Sequence, residues 1–479
     1  MSPVNLPQTQ DRVRLLVGLA LVAFLAAGCA GDAEKYDRPF LSSEIAARTG
    51  QTVGPGAVPG KISVPEGVSV DDGVSEEEAI AIALWNNASF QEAIAGLGVS
   101  RADLIQAGLL TNPSFYILFP IGPKQLEFTL KWPLEALWLR PMRLAAATMD
   151  CEKAAFLLVE HGLTLIRDVK VACAALREAR KRLALAIETG GLLDEIAGLQ
   201  DARLRAGDAS ELEVNGAHVK ALKARAATAR LSSEARIAEE RLRALLGYGQ
   251  LAVPLRFEED PPPMPPVPVD PQDLLEEALA TRPDVRAAEL AIEAAGERAG
   301  LARWESYKIT AALDANEKGE KGYEFGPGLE LEIPLFDLGQ GKRARTDAAL
   351  EQAARHYVAV RDAIALGVKE AHARFLDALD ARDGWNGKIL PALREACDRT
   401  ESSREDGEAS HLKVLESREL LLEARTEELA LEKAVFVAKA ELELQVGCRL
   451  PRSARAESEP PIVPMAASPL SASRSAEEK

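Results

Sequence analysis

The chain repeats one structural unit, and this internal duplication constrains its fold more than any other feature. The two copies span residues 74–250 and 270–450, and a proline-rich stretch at 251–269 separates them. Proline lacks a backbone N–H and disfavours helix, so we expect this stretch to be an extended linker. Five residues of the first copy recur in the second copy, each 200 positions further along the chain. Gly207, Ala209, Ser210, Leu212 and Val214 recur as Gly407, Ala409, Ser410, Leu412 and Val414.

Within each unit, the hydrophobic pattern predicts a helix, two strands and then a long helical hairpin. Apolar residues on the return arm of the second hairpin recur every seventh position, at Leu415, Leu422, Leu429 and Phe436. This spacing is typical of helices that coil around neighbours. The hairpins are predicted to turn near 207 and 407, and an arm of about 60 residues would be about 90 Å long. No compact enzyme needs such arms.

Four segments are predicted to be β-strands: 114–119, 125–132, 307–315 and 323–333. The last three alternate between apolar and polar residues with the period of a strand, whereas 114–119 is more uniformly apolar. A half-buried sheet in a soluble protein gives the same alternation. Four strands cannot close a barrel, and open sheet edges are not viable in lipid, so a membrane barrel would need strands from several copies. Its lumen would be lined by the polar positions Glu127, Thr129, Lys131, Lys308, Thr310, Asp314, Glu330 and Glu332.

The N-terminal residues 1–28 have the order of an export signal: basic Arg12 and Arg14, the apolar run Leu15–Ala27, and a small residue before Cys29. The run is too short to cross roughly 30 Å of hydrocarbon as a helix, which excludes an α-helical membrane transporter. The sequence before Cys29 resembles a bacterial lipobox, so we predict that Cys29 is the lipidated N-terminus. A plain cleaved signal with an incidental cysteine is the alternative. Ala30 in place of aspartate favours the outer membrane.

The remaining sequence argues against catalysis and nucleic-acid binding. A formal net charge of −17 offers phosphate backbones no general attraction. The four other cysteines are predicted to be free packing residues, and the five histidines are scattered. No spacing typical of a metal site, nucleophile elbow or phosphate loop is present, so we expect no metal, no cofactor and no enzyme. Segments 29–73 and 451–479 are predicted to be an extended anchor segment and a low-complexity tail.

The duplicated order, the tip motifs Arg203–Ser210 and Ser403–Ser410, and the run Pro334–Arg345 together resemble the TolC-like outer-membrane efflux proteins. The lipobox is similar to that of the outer-membrane factors of resistance-nodulation-division pumps. One departure is Pro141, which stands where the first long helix should start. The resemblance implies a mainly α fold with a small β part. A homotrimer would form a twelve-stranded barrel in outer-membrane lipid, continued by a periplasmic α-helical tunnel.

The resemblance also implies partners and site residues. A periplasmic adaptor and an inner-membrane pump would engage the tunnel, through which small molecules leave passively. The adaptor would contact the hairpin tips at Gly207, Ala209, Ser210, Gly407, Ala409 and Ser410. The tunnel gate would include Glu213, Lys413 and Glu416. Lys413 replaces an acid of the relatives and could pair with Glu213 of a neighbouring hairpin. The alternatives are purely structural turns and solvated charges.

A second function of a different class also fits the helical pattern. A periplasmic coiled-coil scaffold lipoprotein would have the same long hairpins and the same anchor but no pore. The predicted strands and the two tip motifs argue against it.

Overall fold

The computed structural model describes residues 35–55, 62–65, 68, 73–119, 121, 126–249, 257, 270–317 and 323–450. The predicted signal, Cys29 and the tail 451–479 lie outside the described residues, as does all of the linker except Phe257. Phe257 forms a single parallel β-bridge with Val74 at the start of the first unit.

The first unit contains four helices and two strands, preceded by one N-terminal helix. These elements are α1 Arg38–Thr49, α2 Glu76–Asn86, α3 Ala88–Gly108, β1 Ser114–Leu118, β2 Glu127–Pro133, α4 Glu135–Ala206 and α5 Glu211–Leu245. The second unit repeats this order, with a π-helix inside its long arm. Its elements are α6 Pro271–Thr281, α7 Pro283–Trp304, β3 Lys308–Glu317, β4 Tyr323–Glu332, α8 Gln340–Gly384, the π-helix Trp385–Ile389, α9 Leu390–Glu405 and α10 His411–Val446.

Helix α1 corrects the prediction that 29–73 is extended. The Asp37 carboxylate accepts a hydrogen bond from the backbone N–H of Phe40, which caps the helix, and Pro39 occupies the first turn. Gly50 ends the helix in the left-handed region, at φ 75°. All three signals are present in the sequence, but they lie in a segment rich in small residues.

Helix α4 runs unbroken for 72 residues, about 108 Å at 1.5 Å per residue. It begins at Glu135, so the expectation that it starts near Pro141 is wrong. Pro141 removes one intrahelical hydrogen bond, and the helix continues because its early turns are fixed from outside. Arg140 donates to the carbonyl of Gly108 over 2.6 Å.

The shorter helices stack end to end into composite rods. The end of α5 meets the start of α3, where the Asn87 side-chain amide donates to the carbonyl of Leu245 over 3.0 Å. The end of α10 meets the start of α7 in the same way, where the Arg282 guanidinium donates to the carbonyl of Gln445 over 2.9 Å. Each long arm therefore lies beside a composite rod rather than beside a single helix.

The apolar core has three parts along these rods. The largest surrounds Ile45, Leu84 and Phe90, which are fully buried between α1, α2, α3 and α4. A second surrounds Phe375 in the second unit, and a third holds Leu193 and neighbours closer to the tips. Cys151, Cys173 and Cys397 are buried free thiols and Cys448 is half-buried, as predicted for packing residues.

The four strands form one antiparallel sheet in the order β1-β2-β3-β4. Pro133 lies inside β2, opposite Thr310, one residue beyond the predicted strand end. The two units therefore join through the pairing of β2 with β3. Among the described residues, no helix is both long and apolar enough to cross a bilayer.

Candidate channel wall and hairpin tips

The sheet has one polar face, and the eight predicted lumen residues share it. Directly opposed residues of an antiparallel pair point to the same side. Thr129 lies opposite Asp314, and Lys308 lies opposite Glu332. Thr310 lies opposite Glu330. Lys131 and Glu127 belong to the same face because they alternate with Thr129 along β2.

Two ion pairs cross this face. The ammonium of Lys131 lies 2.7 Å from a carboxylate oxygen of Glu330, so it reaches from β2 over β3 to β4. The ammonium of Lys308 lies 2.8 Å from a carboxylate oxygen of Glu332. All four side chains are about half exposed or more, so the pairs sit in water and mainly set the polarity of the surface.

The opposite face is apolar and uncovered. Phe325 is 69% exposed and Leu329 is 59% exposed, and the Phe115 and Phe128 rings stack with their centroids 6.0 Å apart. No strand residue of the described chain is buried. A half-buried sheet of a soluble protein would have a covered face, so the described chain gives no support to that alternative. The apolar face needs an apolar environment from elsewhere.

The sheet is also open at both sides. β1 pairs only with β2, and β4 pairs only with β3, within the described residues. Each outer strand therefore presents a row of unpaired backbone groups that another strand could use.

Both hairpin tips are built on a glycine in the left-handed region. Gly207 has φ 82° and Gly407 has φ 81°, and no heavy atom would lie within 4 Å of a Cβ at either position. The glycines are therefore required by the backbone conformation and not by close packing. At the first tip, the N–H groups of Gly207 and Asp208 donate to the carbonyls of Leu204 and Arg203, the Schellman pattern.

The serines that follow begin the return arms. The hydroxyl of Ser210 accepts from the N–H of Glu213 over 3.3 Å, and the hydroxyl of Ser410 accepts from the N–H of Lys413 over the same distance. Only the first tip completes a capping box, because the Ser210 N–H donates back to the Glu213 carboxylate over 2.7 Å. These hydrogen bonds to Ser210 lower the pKa of Glu213. Ala209 and Ala409 lie in the turns themselves.

The predicted gate residues are exposed on the first turns of α5 and α10. Glu213 is engaged by Ser210 of its own tip, and the Lys413 ammonium forms no ion pair within the described part of the chain. Glu416 is exposed one turn further along α10. The structure therefore does not bring Glu213 and Lys413 together within one chain. Their pairing across neighbouring hairpins stays a prediction.

A contact between the two hairpins was not predicted from the sequence. Leu412 packs against the third core part, which brings together residues of α4, α5 and α10. The His411 imidazole lies 3.1 Å from a Glu195 carboxylate oxygen in the same contact. The heptad pattern indicated that these helices coil around neighbours, but it could not identify which arm is the neighbour. We call this contact between α10 and α4 the hairpin seam.

The repeat makes the seam informative, because the equivalent surface of the first hairpin is empty. Leu212 has the same position in the first unit as Leu412 in the second, yet Leu212 is 82% exposed. Val219, one heptad later, is 49% exposed. The first return arm therefore presents apolar side chains that no described residue of the chain covers.

Several solved structures share this fold. The outer-membrane channel OprN matches with a TM-score of 0.65 and 20% identity, over 83% of this chain and 99% of that one. VceC of Vibrio cholerae matches with a TM-score of 0.63 and 16% identity, over 78% of this chain and 96% of that one. The open state of MtrE of Neisseria gonorrhoeae matches with a TM-score of 0.61 and 17% identity, over 85% of this chain and 98% of that one. No curated protein matches the sequence.

The sequence itself matches a family over both units. The match to the family described as outer membrane efflux protein covers residues 124–248 and 274–447, which include the strands from β2 onward and both hairpins. The break between the two matched segments falls at the proline-rich linker. The resemblance predicted from the tips and the Pro334–Arg345 run is thereby confirmed: the chain belongs to the outer membrane efflux protein family.

Proposed function

We propose that this protein is the outer-membrane channel of a tripartite efflux system, a passive exit duct for small molecules from the periplasm. The observation that carries the proposal is the sheet of this family member, polar on one face and apolar on the other, with both faces uncovered. A barrel made of such sheets has a wet lumen and a lipid-facing wall. The helical hairpins extend the duct into the periplasm.

A homotrimer supplies the missing partners of the sheet and of the first hairpin. β4 of one copy would pair with β1 of the next, giving twelve strands and no edge. Leu212 would occupy on the next copy the place that Leu412 occupies in the hairpin seam. The residues equivalent to Leu192, Leu193 and Ile196 are Ala392, Leu393 and Ala396, so α9 offers Leu212 an apolar surface with smaller side chains.

The remaining roles follow from the family. The tips around Gly207 and Gly407 contact a periplasmic adaptor, and an inner-membrane pump selects the exported compound. Glu213, Lys413 and Glu416 form part of the gate at the narrow end. Cys29 carries the lipid anchor in the outer membrane. We infer no catalytic role, since the family is one of transport channels; among the described residues no group of side chains could hold a metal ion.

Conductance tests the channel against the scaffold alternative. Purified protein in planar lipid bilayers should give discrete conductance steps. A variant with Leu329→Asp and Leu331→Asp on the apolar face should give none, because charges there oppose insertion. Wild-type protein that inserts as a trimer and never conducts would favour the periplasmic scaffold without a pore. Acyl labelling that is lost in Cys29→Ser tests the anchor separately.

A further inference from the structure

An exposed apolar turn lies directly below β4 in the second unit, and we call residues 333–338 the apolar finger. Phe336 is 94% exposed, Leu335 is 74% exposed and Ile333 is 72% exposed. Ile333 directly follows β4 and has the same parity as its apolar residues Leu329 and Leu331. The N–H of Leu335 then donates to the carbonyl of Ile333 over 3.0 Å, so the chain turns after Ile333. The finger is therefore an exposed apolar turn next to the apolar face of the sheet.

The finger is held in place by hydrogen bonds and close packing. The Asp337 carboxylate accepts from the N–H of Gly339 over 2.8 Å, and the Gln340 side chain accepts from the N–H of Leu338 over 3.1 Å. Gly339 has φ 74°, and a Cβ there would lie 2.4 Å from the hydroxyl of Ser306. The turn is thus locked onto the junction between α7 and β3 while its apolar side chains point away from the chain.

Two further aromatic residues lie at this junction. Trp304 and Tyr307 are about half exposed, and their ring centroids are 6.2 Å apart. Trp and Tyr are enriched where a membrane meets water, because each ring carries a polar group on an apolar body. Such a pair next to the apolar finger suits a boundary between an apolar and an aqueous environment.

Basic residues follow the finger on the first turns of α8. Lys342 and Arg345 are exposed, and Arg343 donates to the carbonyl of Arg303 over 3.2 Å. Lys342 pairs with Glu305 at 3.3 Å, whereas Arg345 forms no ion pair within the described residues. The run Lys342–Arg345 carries three cations and no acid. Anionic headgroups are attracted to such segments.

The first unit has no such finger. Helix α4 begins at Glu135, directly after β2, and Glu135 accepts a hydrogen bond from the N–H of Ile309 over 3.1 Å. Ala136 and Leu139 are buried. The finger therefore belongs to one unit of the repeat and is not a general requirement of connecting a strand to a long helix.

We propose that the apolar finger and the basic turn after it dock into the leaflet that faces the helical part of the protein, with anionic phospholipid headgroups as the ligand. Phe336 and Leu335 enter the acyl boundary, Trp304 and Tyr307 lie at headgroup level, and Lys342 and Arg345 contact lipid phosphates. The docking fixes how deep the sheet sits in the bilayer. The proposal rests on the proposed membrane location of the sheet and adds a lipid site to it.

Depth-dependent quenching tests the docking. Phe336→Cys is labelled with an environment-sensitive dye in the trimer reconstituted in phosphatidylcholine vesicles with or without phosphatidylglycerol; the native thiols that the structure describes are buried or half-buried. Quenching by lipids with a spin label near the headgroup should be about twofold stronger than quenching by lipids with a spin label deep in the acyl chain. This ratio is expected of a side chain at the membrane interface. Asp208→Cys, in the exposed turn of the first hairpin tip, is the matched control and should not be quenched at all.

Charge reversal and a strand label separate the outcomes. Lys342→Glu with Arg345→Glu should reduce quenching at position 336 in the vesicles that contain phosphatidylglycerol and leave it unchanged in phosphatidylcholine alone. Equal loss in both lipids would overturn the anionic-lipid site. If a label at Leu329→Cys is quenched and one at 336 is not, the finger lies outside the bilayer and contacts a second copy instead. If neither label is quenched, the membrane location of the sheet itself is wrong.

Discussion

Arg282 stands where Asn87 stands in the first unit, and each side chain joins the start of one helix to the end of another. The Asn87 amide donates to the carbonyl of Leu245 over 3.0 Å, and the Arg282 guanidinium donates to the carbonyl of Gln445 over 2.9 Å. Arg282 does more, because it also binds the carboxylates of Asp284 at 2.7 Å and Glu160 at 3.1 Å. The second junction is therefore also the point where α4 of the first unit is tied to the second.

We expect Arg282→Met to destabilise the protein far more than Asn87→Ala. Arg282 is 8% exposed, so its loss leaves the carboxylates of Glu160 and Asp284 without their buried cation, a cost of about 3–5 kcal/mol. Losing the Asn87 hydrogen bonds should cost about 1–2 kcal/mol. The measurement is denaturant unfolding followed by helical circular dichroism.

The pH dependence identifies the cause. Burial raises the pKa of Glu160, and Arg282 opposes that rise. A carboxyl group whose pKa is raised by folding stabilises the folded state at low pH and loses this contribution as the pH rises from its unfolded pKa through its folded pKa. Arg282→Met removes the cation that opposes the rise in the pKa of Glu160. The deficit of the variant in free energy of unfolding, relative to wild type, should therefore shrink as the pH falls toward the unfolded pKa of a glutamate. Adding Glu160→Gln should restore part of the stability near neutral pH. A deficit independent of pH and of Glu160 would contradict this account.

The tip glycines give a second prediction. Gly407→Val should cost about 1–2 kcal/mol locally, because a β-branched side chain is strained at φ 81°. Gly190→Ala is the matched control, since that glycine lies inside α4 with ordinary φ and open space around it, and it should stabilise slightly. If the tip contacts the adaptor, Gly407→Val weakens crosslinking to the adaptor and drug resistance while the trimer persists. Loss of the trimer would make the turn a structural element only.

The hairpin seam predicts which crosslinks join copies and which stay within one chain. Cysteines in place of Leu412 and Ile196 should be joined within a chain by a short thiol crosslinker, because both residues belong to the same core part. Cysteines in place of Leu212 and Ala392 should be joined between copies, giving a denaturation-resistant trimer. The first pair serves as the control for the second. If the cysteine at position 212 is crosslinked within its own chain instead, the repeat no longer supports a trimer.

The sequence predicted the elements whose signals are periodic and local. The repeat follows from matching residues 200 positions apart. The four strands and the glycine turns follow from residues within a few positions of one another. Contacts between distant helices do not follow from local spacing. The packing of Leu412 against the third core part and the ion pairs of Arg282 both depend on which helices become neighbours. The helix at 38–49 differs from the prediction because its cap at Asp37 lies in a segment of helix-poor composition. The start of α4 at Glu135 differs because no side chain caps it and Pro141 lies in its second turn.

The gate is the last prediction, and the two tips make it sharper. Lys413 stands where Glu213 closes the capping box of the first tip, so Lys413→Glu has two effects. It should complete a second capping box with Ser410, and it should break any pair with Glu213 of a neighbouring hairpin. Lys413→Gln removes the cation and cannot supply a carboxylate for the cap. If the pair holds the duct closed, both variants raise single-channel conductance in lipid bilayers and sensitise cells to large antibiotics such as vancomycin. If only Lys413→Glu has an effect, the cap rather than the pair controls the tip. If neither Lys413→Glu nor Glu213→Lys changes the conductance, these residues are not the gate.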